Sequence, residues 1–140
     1  MSGWDQYVQQ IASMGGVEKV AIVGEYHDAS TNAVQKSVWA KNSGFKDDAA
    51  STKCLLDLLD FQNNIPTFQA SGIYPEPNVK FMFVRPDENY IVGKKNQDTL
   101  YVVSFKQGVF VVIHNSEGVA GNILNTVNKL ADHIRTSYGA

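Results

Sequence analysis

Residues 80–115 read KFMFVRPDENYIVGKKNQDTLYVVSFKQGVFVVIHN, a stretch in which apolar, β-prone runs alternate with turn residues. The runs and their turns are 80–85 and 90–94 around Pro86-Asp87, and 99–106 and 109–115 around Gln107-Gly108. Apolar runs separated by such short turns pair with their sequence neighbours. The stretch therefore predicts an antiparallel β-meander of four strands.

Helical patterns lie on both sides of this meander. Near the N-terminus, Trp4 and Tyr7 share one helical face with positions 8 and 11. Ser2 is the predicted cap of this helix, and the helix is predicted to end at Gly15-Gly16. Towards the C-terminus, apolar residues occupy positions 123, 124, 127, 130, 131 and 134. This spacing defines an amphipathic C-terminal helix.

The segment between the first helix and the meander is predicted in shorter pieces. These are a strand at 17–25, a polar loop at 26–36, a second short strand at 37–41, and a helix at 51–61. Pro66 permits only a short helical turn or loop after that helix. Helices at both ends with strands between them indicate an α+β fold in which helices cover one sheet. The 140 residues, 44% of them hydrophobic, predict a single domain that spans 1–140.

Composition limits the compartment and the partners of the protein. A single cysteine, Cys54, cannot form an internal disulfide and fits a reducing compartment. The longest apolar run, 109–113, is far shorter than a bilayer span, so a cytoplasmic protein is predicted. Residues 1–76 carry nine acidic and five basic side chains, whereas residues 77–140 carry five acidic and seven basic ones. The positive excess of the second half is too small for nucleic-acid binding but sufficient for a local anionic partner.

The sequence contains few features of an enzyme. A nucleophile elbow, a phosphate-binding loop, a dinucleotide-binding glycine motif and a His-Glu-x-x-His pair are all absent. His27, His114 and His133 lie far apart without metal-ligand spacing. We therefore predict a protein that is not an enzyme and has no cofactor or metal. The alternative is a small α+β sensor or enzyme domain in which Cys54, His27 or His114 is functional.

Aromatic residues indicate a binding site instead. If the terminal helices lie side by side on one sheet face, several rings with polar tips can meet in one groove. The candidate residues are Trp4, Tyr7, Trp39, His133 and Tyr138. A proline-rich peptide suits such a groove, because a polyproline II segment loses little entropy on docking and stacks on aromatic faces. The competing interpretation is that the two tryptophans are core residues.

Motifs along the whole chain resemble those of profilins, small proteins that bind actin monomers. They are Ser2-Gly3-Trp4-Asp5-Gln6-Tyr7-Val8, Ala21-Ile22-Val23-Gly24, Ser37-Val38-Trp39-Ala40, Gly118-Val119-Ala120-Gly121 and Leu130-Ala131-Asp132-His133. The resemblance implies a central antiparallel sheet with the N- and C-terminal helices packed on one face and shorter helices on the other. It also implies that the five candidate ring residues bind polyproline.

The function implied by the resemblance is regulation of actin polymerisation. Such a protein binds monomeric actin, promotes nucleotide exchange on actin, and delivers actin to barbed ends while a separate groove holds proline-rich partners such as formins. It also binds phosphatidylinositol bisphosphate at the membrane surface, works as a monomer, and is associated with the cytoskeleton. The alternative within this resemblance is an adaptor that binds proline-rich peptides and has little affinity for actin.

The resemblance assigns two further sets of contact residues. The implied actin contacts are Gln69, Ala70, Lys80, Met82, Arg85, Lys94, Lys95, Val119, Gly121, Asn125 and Lys129. The implied phosphoinositide contacts are Arg85, Lys94, Lys95 and Arg135. Four of these cations lie on adjoining predicted strands, and we expect them to form one positive patch that suits an acidic partner surface.

Overall fold

A single antiparallel sheet forms the centre of the protein. The computed structural model describes residues 4–28, 30, 33–42, 44–46, 48–87, 89–105 and 107–137. Within these residues the sheet has seven strands, in the order β2-β1-β7-β6-β5-β4-β3. The strands are β1 (Val17–Asp28), β2 (Ala33–Lys41), β3 (Ile73–Glu76), β4 (Val79–Pro86), β5 (Tyr90–Lys95), β6 (Asp98–Phe105) and β7 (Gly108–His114).

Helices cover both faces of the sheet. They are α1 (Trp4–Ala12), α2 (Ala49–Asp57), a 3-10 helix (Leu58–Asn63), α3 (Ile65–Ser71) and α4 (Ala120–Ser137). On the side that we call face A, α1 and α4 pack against strand side chains such as Ile22 and Phe110. On the opposite side, face B, α2, the 3-10 helix and α3 pack against alternate residues such as Val23 and Val111. The predicted α+β architecture is therefore confirmed, with the terminal helices on one face and the shorter helices on the other.

The predicted meander is also confirmed. Strands β4 to β7 agree with the predicted runs to within one residue at each end. The sequence did not predict β3, because prolines at positions 75 and 77 interrupt that segment. β3 is an edge strand, where a missing backbone N–H is tolerated because only one side of the strand pairs.

The predicted polar loop at 26–36 is wrong. β1 continues to Asp28 and β2 begins at Ala33, and these two residues pair. Pairing between β1 and β7 ends earlier, at Gly24 and Gly108, so the rest of the hairpin extends beyond the sheet as a two-stranded arm. The loop prediction relied on polarity, but ladder hydrogen bonds between backbones do not require apolar side chains.

The predicted helix at 51–61 is shorter and starts earlier. The Asp48 side chain accepts a hydrogen bond of 2.8 Å from the backbone N–H of Ser51, which caps α2 and lowers the pKa of the Asp48 carboxyl. α2 ends at Asp57, and the 3-10 helix is kinked at Asp60, where φ is −98° and ψ is 29°. Around Pro66, where a short helical turn or loop was expected, the structure has α3, a helix of seven residues. α1 ends before Gly15-Gly16, and its predicted cap, Ser2, lies outside the described residues.

The sheet curls around face B, and an ion pair joins two of its distant strands. Lys19 Nζ on β1 lies 2.5 Å from Glu76 Oε2 on β3, although four strands separate β1 from β3 in the sheet order. Glu76 is only 7% exposed. Burying a carboxylate without a partner costs free energy. The Lys19–Glu76 pair therefore favours the curled arrangement that brings β1 and β3 together.

Replacing Lys19 by methionine is expected to destabilise the protein strongly. The substitution keeps most of the side-chain volume but leaves the Glu76 carboxylate buried without its partner. We expect a loss of about 2 kcal/mol in the free energy of unfolding, below the roughly 3–5 kcal/mol of fully buried pairs, because Lys19 is partly exposed. Urea unfolding of the Lys19→Met protein measures this loss.

The matched control for this prediction is Lys53→Met, which removes the exposed ion pair between Lys53 and Asp57. We expect that control to change the stability by no more than about 0.5 kcal/mol. The double substitution Lys19→Met with Glu76→Gln is expected to recover part of the loss. Equal stability of Lys19→Met and the parent protein would contradict the role given to this pair.

Candidate functional site

Aromatic rings meet on face A where α1 packs against the sheet. The Trp4 ring centroid lies 4.9 Å from that of Trp39, 5.7 Å from Phe105 in a stacked arrangement, and 5.9 Å from Tyr7. We call these four residues the aromatic cluster. Phe105 is buried, whereas Trp4, Tyr7 and Trp39 are half-buried. The cluster is therefore anchored in the core and still presents ring surface to solvent.

The backbone around Trp39 explains the position of its ring. Ile22 pairs with Ala40 and Val23 pairs with Val38, which makes Trp39 the extra residue of a β-bulge. The ring lies directly on the backbone of Gly24, because a β-carbon at that position would be 2.2 Å from Trp39 Cζ2. Gly24 is thus required for the observed placement of the ring.

Three of the five predicted polyproline-binding residues, Trp4, Tyr7 and Trp39, are brought together in this cluster. His133 is exposed on α4, the helix that shares the face A core with α1. Tyr138 lies outside the described residues. The competing interpretation was that the two tryptophans are core residues. Both pack against the face A core, but each is only half-buried, so part of each ring stays exposed to solvent.

Sequence reasoning missed Phe105 and Gly24. The alternation of β6 contained a signal for Phe105, because Tyr101, Val103 and Phe105 are two residues apart and share face A. The role of Gly24 depends on a neighbouring strand, and a sequence pattern alone does not reveal such a contact.

A second surface lies on face A beyond α4, on strands β4 and β5. Met82 pairs with Lys94, and Arg85 pairs with Val92. Paired residues of antiparallel strands point to the same side, and Val92 belongs to the face A core. Lys80 follows the same alternation as Met82. We call these exposed residues the basic strand surface, which consists of Lys80, Met82, Arg85 and Lys94.

Arg85 is the best-defined cation of this surface. Its guanidinium carbon lies 5.8 Å from the centroid of the Tyr90 ring, within the range of a cation–π contact. Desolvation raises the pKa of the Tyr90 hydroxyl, so the ring adds no negative charge next to the guanidinium. Arg85 thus contributes its positive charge to the basic strand surface.

The sequence predicted that four strand cations form one positive patch, but Lys95 does not lie on the same face as the other three. This residue follows Lys94 directly, so its side chain points to face B, where it lines a small cavity with Phe81 and Ile113. Arg135, the remaining phosphoinositide candidate, is engaged within the protein. Its guanidinium donates hydrogen bonds to the Asp132 carboxylate and to the Ser104 carbonyl, which attaches α4 to β6.

The other predicted actin contacts come from two helices. Gly121, Asn125 and Lys129 are four residues apart and lie exposed on one side of α4, and Val119, which precedes the helix, is 61% exposed. Gln69 and Ala70 are exposed on α3, which belongs to face B. The predicted contacts are therefore distributed over β4, β5, α3 and α4.

Two of the three residues of the enzyme alternative, His114 and Cys54, lie in surroundings that do not favour catalysis. His114 is buried, where its Nδ1 lies 2.8 Å from the Asn115 carbonyl oxygen and its Nε2 lies 3.3 Å from the Tyr101 hydroxyl oxygen. Burial raises the pKa of the Cys54 thiol, which disfavours the reactive thiolate. The side chain of His27 is not described.

Neither a metal-binding cluster nor a membrane-spanning helix is present in the part of the chain that the structure describes. In the ranges given above, no group of three or more His, Cys, Asp or Glu side chains is placed to hold a metal ion. Within the same ranges, the helices are too short or too polar for one of them to cross a membrane.

A curled antiparallel sheet with the terminal helices on one face and shorter helices on the other is the architecture of solved profilins. The chain belongs to the profilin family, since the profilin family model matches residues 2–138. Profilin-1A of Acanthamoeba castellanii is 27% identical over 132 residues, which cover 94% of each chain.

Two solved structures extend this comparison. The structure of Acanthamoeba castellanii profilin IA matches with a TM-score of 0.73 at 26% identity, over 96% of this chain and 98% of that chain. The profilin of the LokiProfilin2 complex with rabbit actin matches with a TM-score of 0.57 over 96% and 97% of the two chains. At 10% identity, the latter likeness is one of fold.

Proposed function

We propose that the protein binds monomeric actin and proline-rich peptides at two separate surfaces and thereby regulates actin polymerisation in the cytoplasm. The observation that carries this proposal is the aromatic cluster, in which Trp4, Tyr7 and Trp39 expose ring surface beside α1. Flat, pre-organised rings with polar tips are the surface on which pyrrolidine rings stack. Membership of the profilin family agrees with this function.

The proposed actin-binding surface is the basic strand surface together with the outer side of α4. Three cations, Lys80, Arg85 and Lys94, lie exposed around the apolar Met82. Such a surface attracts an acidic partner at long range and offers an apolar contact at short range. The solved complex of LokiProfilin2 with rabbit actin, which has the same fold, supports actin as the partner.

Separation of the two surfaces would allow both partners to bind at once. The aromatic cluster includes Trp39 of β2, whereas Lys94 lies on β5, four strand positions away in the sheet order. At about 4.8 Å per strand, Trp39 and Lys94 are roughly 19 Å apart along the sheet, whereas the buried Phe105 of the cluster lies on β6, next to β5. A formin or another proline-rich protein that binds the aromatic cluster would then keep the actin bound to this protein close to a growing barbed end. This raises the local concentration of actin there. Nucleotide exchange would be promoted on the actin so bound.

Phosphoinositide binding is proposed at the same cations. Arg85 and Lys94 are exposed and point to one side, which suits a phosphorylated headgroup. Lys95 points to the other face, and the Arg135 guanidinium already bonds Asp132 and Ser104, so neither is retained in this proposal. Overlap with the actin surface implies competition between lipid and actin that weakens at high salt.

Intrinsic tryptophan fluorescence tests the proposed groove directly. The protein has two tryptophans, and both belong to the aromatic cluster. We expect a saturable change in their emission when polyproline is added, and binding of monomeric actin in a separate titration. A response to polyproline without actin binding would favour the adaptor alternative. An unchanged emission at high peptide concentration would contradict the groove.

Charge reversal at Arg85 tests the actin surface. We expect Arg85→Glu to weaken the binding of monomeric actin by about tenfold, since it places a carboxylate opposite an acidic partner. Polyproline affinity should change little, because Arg85 on β4 lies five strand positions from Trp39 on β2, although it is two positions from the buried Phe105 on β6. Sedimentation or fluorescence titration with labelled actin measures the first quantity.

The control for Arg85→Glu is Lys53→Glu, an equal change in net charge on exposed α2 of face B. If both substitutions weaken actin binding equally, the effect is one of net charge and Arg85 leaves the proposed interface.

A further inference from the structure

A cavity of about 410 Å³ lies on the face B side of the protein, between α2, the 3-10 helix, α3 and β3. Its volume falls within the roughly 300–1,000 Å³ that is usual for ligand pockets. Neither the aromatic cluster nor the basic strand surface contributes a residue to it. We call it the face B cavity.

Apolar side chains line part of the face B cavity. Leu58 is 2% exposed, and Phe68 and Cys54 are half-buried beside it. Tyr74 on β3 also lines the cavity and is 43% exposed. The Tyr74 ring thus extends the apolar part of the cavity wall out to solvent.

Tyr74 is not among the predicted actin contacts, although Gln69 and Ala70 of the neighbouring α3 are. The other large apolar side chains found exposed in the described residues are Met82, Val84 and Val119. Met82 and Val119 belong to the predicted actin contacts, and Val84 lies between Met82 and Arg85 on the same strand. Tyr74 lines the face B cavity instead.

Two carboxylates stand at the same cavity. The side chains of Asp57 and Asp60 are 65% and 50% exposed, and both line it. Each contacts a lysine, Asp57 at 3.0 Å from Lys53 and Asp60 at 2.9 Å from Lys36. Exposed pairs of this kind contribute about 0.2–1 kcal/mol, so an incoming cation can replace either lysine at little cost.

The charge of this region selects the ligand. A hydrogen bond to Asp60 raises the pKa of Lys36, because the carboxylate stabilises the charged ammonium group. The charged residues that line the cavity are two carboxylates, Asp57 and Asp60, and one lysine, Lys36, which is paired with Asp60. The lining therefore has a small excess of negative charge, which favours a positively charged ligand over a phosphate-rich one.

We propose that the face B cavity binds a short peptide segment of a partner protein in which an arginine or lysine stands next to a large apolar residue. The apolar side chain would contact Leu58 and Phe68. The cation would lie between the two carboxylates and the Tyr74 ring, where cation–π attraction adds to charge. Thr67 and Ser71 contribute hydroxyl groups that suit the polar atoms of a peptide backbone.

The test is a titration of the whole ¹⁵N-labelled protein with the blocked peptide GSRLRSG, followed by amide chemical shifts. We expect saturable shifts at residues of α2, the 3-10 helix, α3 and β3, with a Kd of about 1 mM or tighter. The peptide GSELESG reverses the charges and should give no shifts there. The peptide GSRSRSG lacks the apolar side chain and should bind at least about threefold more weakly.

Substitutions in the protein complete the test. The double variant Asp57→Asn with Asp60→Asn is expected to weaken the peptide by at least about fivefold, since two exposed carboxylates lose their charge. Tyr74→Ser should weaken it similarly, and Tyr74→Phe should bind as the parent does. Asp98→Asn removes a carboxylate outside the cavity and serves as the matched control. Actin and polyproline binding should be unchanged in the Asp57/Asp60 variant, which separates this proposal from the proposed function.

Three outcomes would overturn the proposal. The first is the absence of shifts at several millimolar GSRLRSG. The second is a set of shifts centred on Trp4 and Trp39, which would assign the peptide to the aromatic cluster. The third is an affinity that the double aspartate variant leaves unaltered, which would show that charge does not select the ligand.

Discussion

Replacing Gly24 by alanine is expected to reduce the affinity for polyproline by about two orders of magnitude. A β-carbon at position 24 would lie 2.2 Å from Trp39 Cζ2 and 2.4 Å from two further ring atoms. These distances are well below van der Waals contact, so the indole must leave its place over the strand. Trp39 would then lose its 4.9 Å contact with Trp4, and the aromatic cluster would no longer form one continuous surface.

Fluorescence titration with polyproline measures this loss, and near-ultraviolet circular dichroism reports the displaced indole. We expect overpacking at this buried site to cost about 1–3 kcal/mol of stability while the fold is kept. Actin affinity should be nearly unchanged. Gly15→Ala is the matched control, because a β-carbon there meets nothing within 4 Å. Full polyproline affinity in the Gly24→Ala protein would exclude Trp39 from the groove.

Truncation of Trp4 to alanine is expected to have a similarly large effect on polyproline binding. Trp4 is the ring that contacts Tyr7, Trp39 and Phe105, so its removal deletes the centre of the aromatic cluster. We expect an affinity loss of about 100-fold, since truncation of central aromatic contacts commonly costs 2 kcal/mol or more. Monomeric actin should bind within about twofold of the parent, because Trp4 on α1 is not part of the basic strand surface on β4 and β5.

Stability must be measured beside binding for the Trp4 variant. A half-buried tryptophan contributes less than the roughly 3–5 kcal/mol of a fully buried one, and we expect a loss of about 2 kcal/mol in urea unfolding. Trp4→Phe retains an aromatic ring at the same position and should recover much of the binding. Parallel loss of actin and polyproline binding in a folded Trp4→Ala protein would contradict two separate surfaces.

Much of the fold could be predicted from local pattern. The strands of the meander follow apolar runs and short turns, so their ends agree with the structure to within one residue. The hairpin arm was missed because residues 26–36 are polar, and its pairing depends on backbone hydrogen bonds that composition does not report. β3 was missed because prolines disfavour strands in general, although an edge position accepts them.

The aromatic residues of the site could be predicted from the sequence, but the contacts that hold them in place could not. Trp4 and Tyr7 are one helical turn apart, so their shared face follows from the sequence alone. The Trp39 ring packs on Gly24, and Arg135 donates a hydrogen bond to Ser104. Both contacts join segments that are distant along the chain, so only the fold brings these residues together. The placement of Lys95 on face B, in contrast, follows from strand alternation and could have been predicted.

The prolines of β3 also bear on whether copies of the protein can assemble. A strand at the margin of a sheet normally offers unpaired N–H and C=O groups to a neighbouring molecule. β3 has four residues, Pro75 has no N–H to donate, and Pro77 follows directly after the strand. At the opposite margin, β2 carries Lys36 and Lys41, whose charges oppose the approach of an identical strand. Both margins of the sheet therefore carry features that oppose strand-by-strand growth into fibrils.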